Sequence, residues 1–229
     1  MATIVLRALG ALIVTVYAAS PTAAQQPQSA VLNNLEVQQL IKRAEPGDHA
    51  RLGAHFAALA ERYTAEAKRH TAMAQAFVAS PVRRTAASSA ADHCKRLTEL
   101  NTQSAATLRE LATHHEKLAG GAPSTAPHDS ARFEAGAGAP APSEKELAAL
   151  AAKASTPADH RALEEYFLTA AKRYTAQANE HVTMAQAYRG TRIASAAAHC
   201  DRLVTLSRDS AKEANAAAAM HKDLAGVTR

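Results

Sequence analysis

The chain has 229 residues and a formal charge of +5; 59 residues are alanine, only 4% are aromatic, and none is tryptophan. Nine glycines and nine prolines exclude a collagen-like chain, and two cysteines are too few for a scaffold of several disulfide bonds. Alanine is the strongest helix former, whereas the β-branched and aromatic residues that favour strands are sparse. The composition therefore predicts an all-helical (all-α) protein whose core contains few large side chains.

The first 24 residues have the features of a secretory signal peptide. Arg7 supplies a positive charge, residues 8–19 form an uncharged apolar run, and Ala24 ends a small-residue cleavage motif. The run is shorter than the roughly 20 residues that cross a bilayer, although an uncleaved N-terminal anchor is the alternative interpretation. Residues 25–30 are expected to be a disordered lead-in. The sequence thus predicts an exported protein, periplasmic or secreted, without an integral membrane span.

The rest of the sequence consists of two related halves. Residues 46–77 match residues 157–188 at 16 of 32 positions, and residues 93–120 match residues 199–226 at 12 of 28 positions. Self-similarity at a fixed offset indicates a duplicated structural unit. The second half is therefore expected to repeat the structure of the first.

Repeat 1 spans residues 31–120 and repeat 2 spans residues 143–229, with a linker rich in Gly, Pro, Ala and Ser at residues 121–142. Each repeat is predicted to begin with a short helix, over residues 31–44 and 143–155. Two long helices follow, because apolar residues recur at spacings of three and four, the period of helices that pack side by side. Each repeat is expected to fold as a short helix and an antiparallel helical hairpin.

The two hairpins are expected to pack as one four-helix bundle. Alanine occupies a column beside the apolar seam of each long helix, which lets helices approach closely where large side chains are missing. Two independent hairpins, or a dimer that exchanges them, are the alternative arrangements. A lone alanine-rich hairpin buries little apolar surface, and this favours the single bundle.

Polar residues on the seam are the candidate functional residues. If the hairpins turn near Val82 and at Gly190, a histidine pair lies near the open end of each hairpin and a histidine faces a cysteine near its turn. The facing residues are His49 with His115, His70 with Cys94, His160 with His221, and His181 with Cys200. Met73 and Met184 lie one helical turn closer to the hairpin turns.

These side chains suggest a metal site. If the hairpins lie side by side in the same sense, one layer contains four histidines, and another contains two histidines and two cysteines with the methionines beside it. Two cysteines with two histidines can bind zinc, and thiolate, imidazole and thioether together suit copper. The predicted ligands are His49, His70, Met73, Cys94, His115, His160, His181, Met184, Cys200 and His221.

A metal-free interpretation of the same residues is also open. Cys94 and Cys200 occupy equivalent positions, and a Cys94–Cys200 disulfide would join the two hairpins. The histidines at the open ends would then be half-exposed seam residues in contact with water. In that case the protein is a structural or interaction module of the cell envelope that binds another envelope protein.

Several other classes of function are not indicated. The sequence contains no haem-attachment motif, no di-iron Glu-x-x-His pair, no His-Glu-x-x-His zinc motif and no glycine-rich phosphate loop. No nucleophile, base and orienting residue form a recognisable set, so no enzyme is predicted. The basic residues are dispersed among acidic ones without interleaved aromatics, so no nucleic-acid partner is expected. The sequence predicts a non-enzymatic binding protein for copper or zinc, or the metal-free module.

Overall fold

The computed structural model describes residues 31–80, 84–120 and 142–227. The predicted signal peptide, the lead-in, the turn near Val82 and nearly all of the predicted linker lie outside these residues. In the part of the chain that is described, the structure is all-helical, with six helices and no strands. The fold class predicted from the composition is confirmed.

The helices follow the order short, long, long in each half of the chain. In repeat 1 they are α1 (Asn34–Arg43), α2 (Pro46–Ala79) and α3 (Arg84–Leu118). In repeat 2 they are α4 (Glu144–Lys153), α5 (Pro157–Arg189) and α6 (Ala196–Val227). The two short helices that the sequence predicted are therefore both present.

Local sequence signals determine where the helices begin and end. Asn33, Ser143 and Thr156 are N-caps, and each forms a capping box with the acidic residue three positions later. Gly120 follows the end of α3 with a φ of 84°, a conformation that favours glycine. Gly226, in contrast, lies within α6, which continues to Val227.

The long helices of each repeat pack antiparallel. Arg109 on α3 donates to Thr64 on α2 at 2.7 Å, and Thr71 Oγ1 lies 3.3 Å from Thr98 Oγ1 nearer the other end. In repeat 2, Arg189 at the end of α5 pairs with Asp201 near the start of α6. The two long helices of each repeat are therefore antiparallel neighbours.

The two repeats lie head to tail along the contact between α3 and α6. His93 Nδ1 on α3 lies 2.6 Å from Glu213 Oε1 on α6, and Glu110 Oε2 lies 3.5 Å from His199 Nδ1. Because an early residue of each helix meets a late residue of the other, α3 and α6 are antiparallel. The end of α2 consequently lies beside the end of α6, and the end of α5 lies beside the end of α3.

The short helices also connect the repeats. Helix α1 packs on α5 as well as on α2, and α4 packs on α2 as well as on α5. Their buried residues are Val37, Leu40, Ile41, Leu147 and Ala151. These side chains belong to an apolar cluster to which all six helices contribute, so the described parts of both repeats share a core.

Gly53 lies where α2 approaches α3 closely. A Cβ atom at Gly53 would lie 3.4 Å from the carbonyl oxygen of Ala112 and 3.4 Å from Cγ of Glu116, which ordinary van der Waals contact allows. Glycine inside a helix costs about 0.5–1 kcal/mol relative to alanine. We expect Gly53→Ala to raise the free energy of unfolding by about that amount, measured by urea unfolding followed by circular dichroism.

Gly53→Val is the matched variant for this contact. Its two methyl groups would press on α3, so we expect it to lower the free energy of unfolding. A stabilising valine would show that α2 and α3 lie further apart than the structure places them.

Candidate functional site

The first histidine pair joins the two ends of the repeat 1 hairpin. His49 lies in the first turn of α2 and His115 in the last turn of α3. Their Nδ1 atoms are 3.0 Å apart and their ring centroids 5.2 Å apart. His115 is fully buried, whereas 6% of His49 is exposed. The structure therefore brings together the two rings that the predicted hairpin register paired.

The second pair repeats this arrangement in the other half of the chain. His160 lies in the first turn of α5 and His221 near the end of α6. Their Nδ1 atoms are 3.2 Å apart and their ring centroids 5.4 Å apart. As in repeat 1, the ring on the first helix retains slight exposure, 6% for His160, and its partner is buried.

Aromatic rings hold the buried histidine of each pair in place. Phe56 stacks on His115 with a centroid distance of 5.5 Å, and the equivalent Phe167 stacks on His221 at 5.6 Å. Stacked rings fix the plane of an imidazole and exclude water from one of its faces. The orientation of each buried ring is therefore set by its own repeat.

The other repeat supplies a second aromatic ring to each pair. The Tyr188 hydroxyl lies 2.7 Å from His115 Nε2, whereas Phe77 stacks on His221 with a centroid distance of 5.8 Å. Tyr188 and Phe77 occupy equivalent positions in the two repeats. Neither residue is among the ligands predicted from the sequence, although this Phe-to-Tyr difference is visible when the repeats are aligned.

The two pairs lie at opposite ends of the long helices and do not merge. The prediction of one four-histidine layer assumed that both hairpins run in the same sense. The head-to-tail arrangement instead places the end of α5, with Tyr188, beside the first pair, and the end of α2, with Phe77, beside the second. The predicted layer of His49, His115, His160 and His221 is therefore not formed.

The predicted disulfide is not formed either, since both cysteines are free. Cys94 adjoins His93, which contacts Glu213, and Glu213 is 13 residues beyond Cys200 on α6. At about 1.5 Å of rise per helical residue, the two cysteines are roughly 20 Å apart. A disulfide requires Cα atoms within about 7 Å of each other, so this arrangement excludes a Cys94–Cys200 bond.

Both thiols keep their protons in the metal-free protein. Burial raises the pKa of Cys94 and of Cys200 to about 12, well above physiological pH. Among the described residues, no group of three or more His, Cys, Asp or Glu side chains is arranged to hold a metal ion. The predicted layer of two histidines and two cysteines is therefore absent.

The remaining predicted ligands lie in the core. His70 stacks on Phe167 of α5, and its Nε2 is 3.4 Å from the Tyr174 hydroxyl. His181 is buried, and its Nδ1 has no hydrogen-bond partner among the described residues. Met73 and Met184 are buried in the apolar cluster, one helical turn before Phe77 and Tyr188.

A polar layer crosses the middle of the long helices. Glu66 pairs with Arg69 of its own helix at 2.7 Å and with Arg173 of α5 at 2.9 Å. Asn101 on α3 donates to the Tyr174 hydroxyl of α5 at 2.9 Å. The bonds to Arg173 and Tyr174 cross between repeats, so Glu66 is part of an ion pair that joins them.

Three of the four paired histidines, His49, His115 and His221, are neutral at physiological pH. Burial lowers the pKa of His115 and of His221 to about 3, and it lowers the pKa of His49 as well. A neutral imidazole has one bare nitrogen, which is the atom that binds a metal or accepts a hydrogen bond. Each pair therefore contains at least one imidazole in the form that binds metal ions.

No family model, curated protein or solved structure matches this chain. Within the described ranges, no helix combines the length and the apolar character needed to cross a bilayer. The paired histidines are the structural feature from which we infer a function.

The buried histidines also predict a loss of stability in acid. Burial lowers the pKa of His55 to about 3 and the pKa of His70 and His181 to about 4, below the ordinary value of 6.5. Between these values and pH 6.5 the unfolded chain binds more protons than the folded one, so stability is complete above pH 6.5 and falls below it. Each histidine contributes up to about 2 kcal/mol of loss at pH 5.

Urea unfolding at pH 7.5 and pH 5.0 measures this loss. His181→Gln removes one titrating ring, so we expect the difference between the two pH values to shrink by up to about 2 kcal/mol. An unchanged difference would mean that His181 is accessible to protons in the folded protein.

Both cysteines are expected to be reduced and unreactive in the folded protein. Neither side chain is exposed, and burial raises the pKa of each thiol to about 12, so little thiolate forms at pH 8. A chromogenic thiol reagent should detect no thiol in the native protein and two after unfolding in guanidinium. Detection of none after unfolding would reveal a disulfide and contradict the head-to-tail arrangement.

Proposed function

We propose that the chain forms one four-helix bundle and serves as an exported, non-enzymatic protein that binds copper or zinc at its paired histidines. The bundle is supported by the contact of α3 with α6 and by the apolar cluster that all six helices share. Export is supported by Arg7 and the apolar run that precedes Ala24.

The observation that carries the proposal is that, in each repeat, the Nδ1 atoms of two histidines face each other. The separations are 3.0 Å for His49 with His115 and 3.2 Å for His160 with His221. Two nitrogens that each lie about 2.0 Å from one ion, at a tetrahedral angle, are about 3.3 Å apart. Each pair is therefore close to the spacing that a shared metal ion requires.

The surroundings of the pairs favour metal binding over simple core packing. Burying an imidazole requires its polar nitrogens to be desolvated, and a leucine at the same position would not have this cost. Slight exposure of His49 and of His160 gives each pair contact with solvent at the end of the helices. The bound ion would keep water or a small ligand at its other coordination positions.

The donor set indicates which ion is preferred. Two imidazoles without a thiolate suit copper, zinc and nickel, and a site that enforces no particular geometry follows the general affinity order of divalent ions. In that order copper(II) binds more tightly than zinc(II). We therefore place copper ahead of zinc.

A metal-free structural or interaction module is the second candidate function. Each histidine pair can also be satisfied by one N–H···N hydrogen bond between its Nδ1 atoms. Leu35 and Val78 expose 64% and 67% of their surface, and exposed apolar side chains are one feature of a docking surface. The partner would be another envelope protein.

Titration with copper(II) and zinc(II) at pH 7.5 tests the proposal. We expect the wild type to bind both ions, copper more tightly, and the double variant His49→Gln with His160→Gln to lose about 10-fold or more in affinity. Binding should weaken at pH 5, because metal ions compete with protons for the imidazoles.

The control removes a histidine outside the pairs. His199→Gln, on α6 where the ring contacts Glu110, should leave the metal affinity unchanged. Equal affinity for the wild type and the His49/His160 variant would refute the proposed site, and a melting temperature that ignores both ions would favour the metal-free module.

A further inference from the structure

The two histidine pairs differ in what lies beside the second nitrogen of the buried ring. In repeat 1 the Tyr188 hydroxyl lies 2.7 Å from His115 Nε2. In repeat 2 the equivalent residue is Phe77, and the buried His221 Nε2 has no hydrogen-bond partner among the described residues. One pair therefore has a polar group at this nitrogen where the other has none.

The two aromatic rings are placed alike. The centroid of Tyr188 is 5.8 Å from that of His115, and the centroid of Phe77 is 5.8 Å from that of His221. The angles between the ring planes are also similar, at 37° and 29°. The hydroxyl is therefore the main chemical difference between residues 188 and 77, and a hydroxyl on ring 77 is expected to reach His221 Nε2.

An ion bound between the facing nitrogens fixes the proton of each ring. The facing atoms are Nδ1 in both pairs, so the ion takes the Nδ1 lone pairs. A neutral imidazole carries one proton, which must then reside on Nε2. In the metal-bound protein, Nε2 of His115 and Nε2 of His221 are therefore both donors that need an acceptor.

Tyr188 supplies that acceptor in repeat 1. Burial raises the pKa of Tyr188 well above its ordinary value, so the group is a neutral hydroxyl, which both donates and accepts. It can donate to a bare His115 Nε2 in the metal-free protein and accept from Nε2–H in the metal-bound one. The hydrogen bond thus reverses its direction when the ion binds and is kept. Because the ion withdraws electron density from the ring, the N–H becomes a stronger donor and the bond strengthens.

Repeat 2 lacks this acceptor. His221 is stacked by Phe167 of its own repeat and by Phe77 of the other. Neither phenyl ring has a lone pair that could accept from Nε2–H, and a buried donor without an acceptor is costly. Binding of an ion at His221 Nδ1 therefore leaves a buried N–H unsatisfied within the described part of the chain.

We propose that Tyr188 is a positioning residue of the repeat 1 metal site, which accepts a hydrogen bond from His115 Nε2–H while the ion occupies Nδ1. This inference rests on the proposed function. A metal-binding histidine commonly donates its other N–H to such a partner, which orients the ring, and loss of the partner lowers metal affinity by about 10- to 100-fold.

Reciprocal variants test this role, with zinc(II) titrations followed on the ring nitrogen NMR signals of the paired histidines. We expect Tyr188→Phe to lower the zinc affinity of the repeat 1 pair about 10-fold or more, and Phe77→Tyr to raise that of the repeat 2 pair. Each pair is compared with itself, so every other contact of His49 and of His160 is common to the variant and the wild type.

Tyr174→Phe is the matched control. It also removes a buried tyrosine hydroxyl that lies near a histidine, His70, but outside both pairs. We expect it to leave the zinc affinity of both pairs unchanged. Tyr188→Phe and Phe77→Tyr variants that alter the melting temperature but neither affinity would overturn the inference and show that residues 77 and 188 only pack. If Tyr188→Phe does not fold, the affinity of Phe77→Tyr decides.

The zinc-loaded wild type gives a spectroscopic test that packing alone would not move. We expect the His115 Nε2–H proton to be shifted downfield by its hydrogen bond to Tyr188, and this shift to be lost in Tyr188→Phe. A His115 that carries zinc on Nε2 would overturn the inference and leave metal binding intact. Zinc that reaches neither pair would overturn the proposed function itself.

Discussion

Two aromatic contacts between the repeats, Tyr188 with His115 and Phe77 with His221, govern the arrangement of the other residues. Tyr188 and Phe77 each lie near the turn of their own repeat, and each contacts a histidine near the open end of the other. The contacts therefore require the repeats to lie head to tail. This orientation separates the two histidine pairs and places the cysteines about 20 Å apart. It also gives the two histidine pairs chemically different neighbours.

Features that depend on local sequence could be predicted. The spacing of apolar residues indicated the helices, and the turn at Gly190 was enough to predict that His160 faces His221, because register within a hairpin depends only on where the chain turns. The relative direction of the hairpins could not be predicted in this way, since a heptad seam has the same spacing for parallel and antiparallel neighbours. The predicted four-histidine layer and the disulfide both depended on that choice. In the structure, the contact of His93 with Glu213 across α3 and α6 decides it.

The alanine-rich composition affects the packing of α3 with α6 and the packing of α2 with α5 differently. On one side, α3 packs on α6, and both helices carry buried alanines, among them Ala105 and Ala211. On the other side, α2 and α5 are joined by long polar and aromatic side chains, including Glu66 with Arg173 and His70 with Phe167. Because buried imidazoles cost stability as soon as they are protonated, a core of this composition depends on keeping its histidines neutral. Neutral rings fixed by stacking are also what a metal ion requires, so the same packing supports the fold and the proposed site.

The central claim is that imidazole nitrogens, and not thiolates, hold a metal ion in this protein. X-ray absorption spectroscopy of the full chain loaded with one equivalent of zinc measures the ligands directly. We expect nitrogen neighbours at about 2.0–2.1 Å with the outer-shell pattern of two imidazole rings, and no sulfur neighbour at about 2.3 Å. A sulfur shell would place a cysteine on the metal and contradict the assignment of the ion to the histidine pairs.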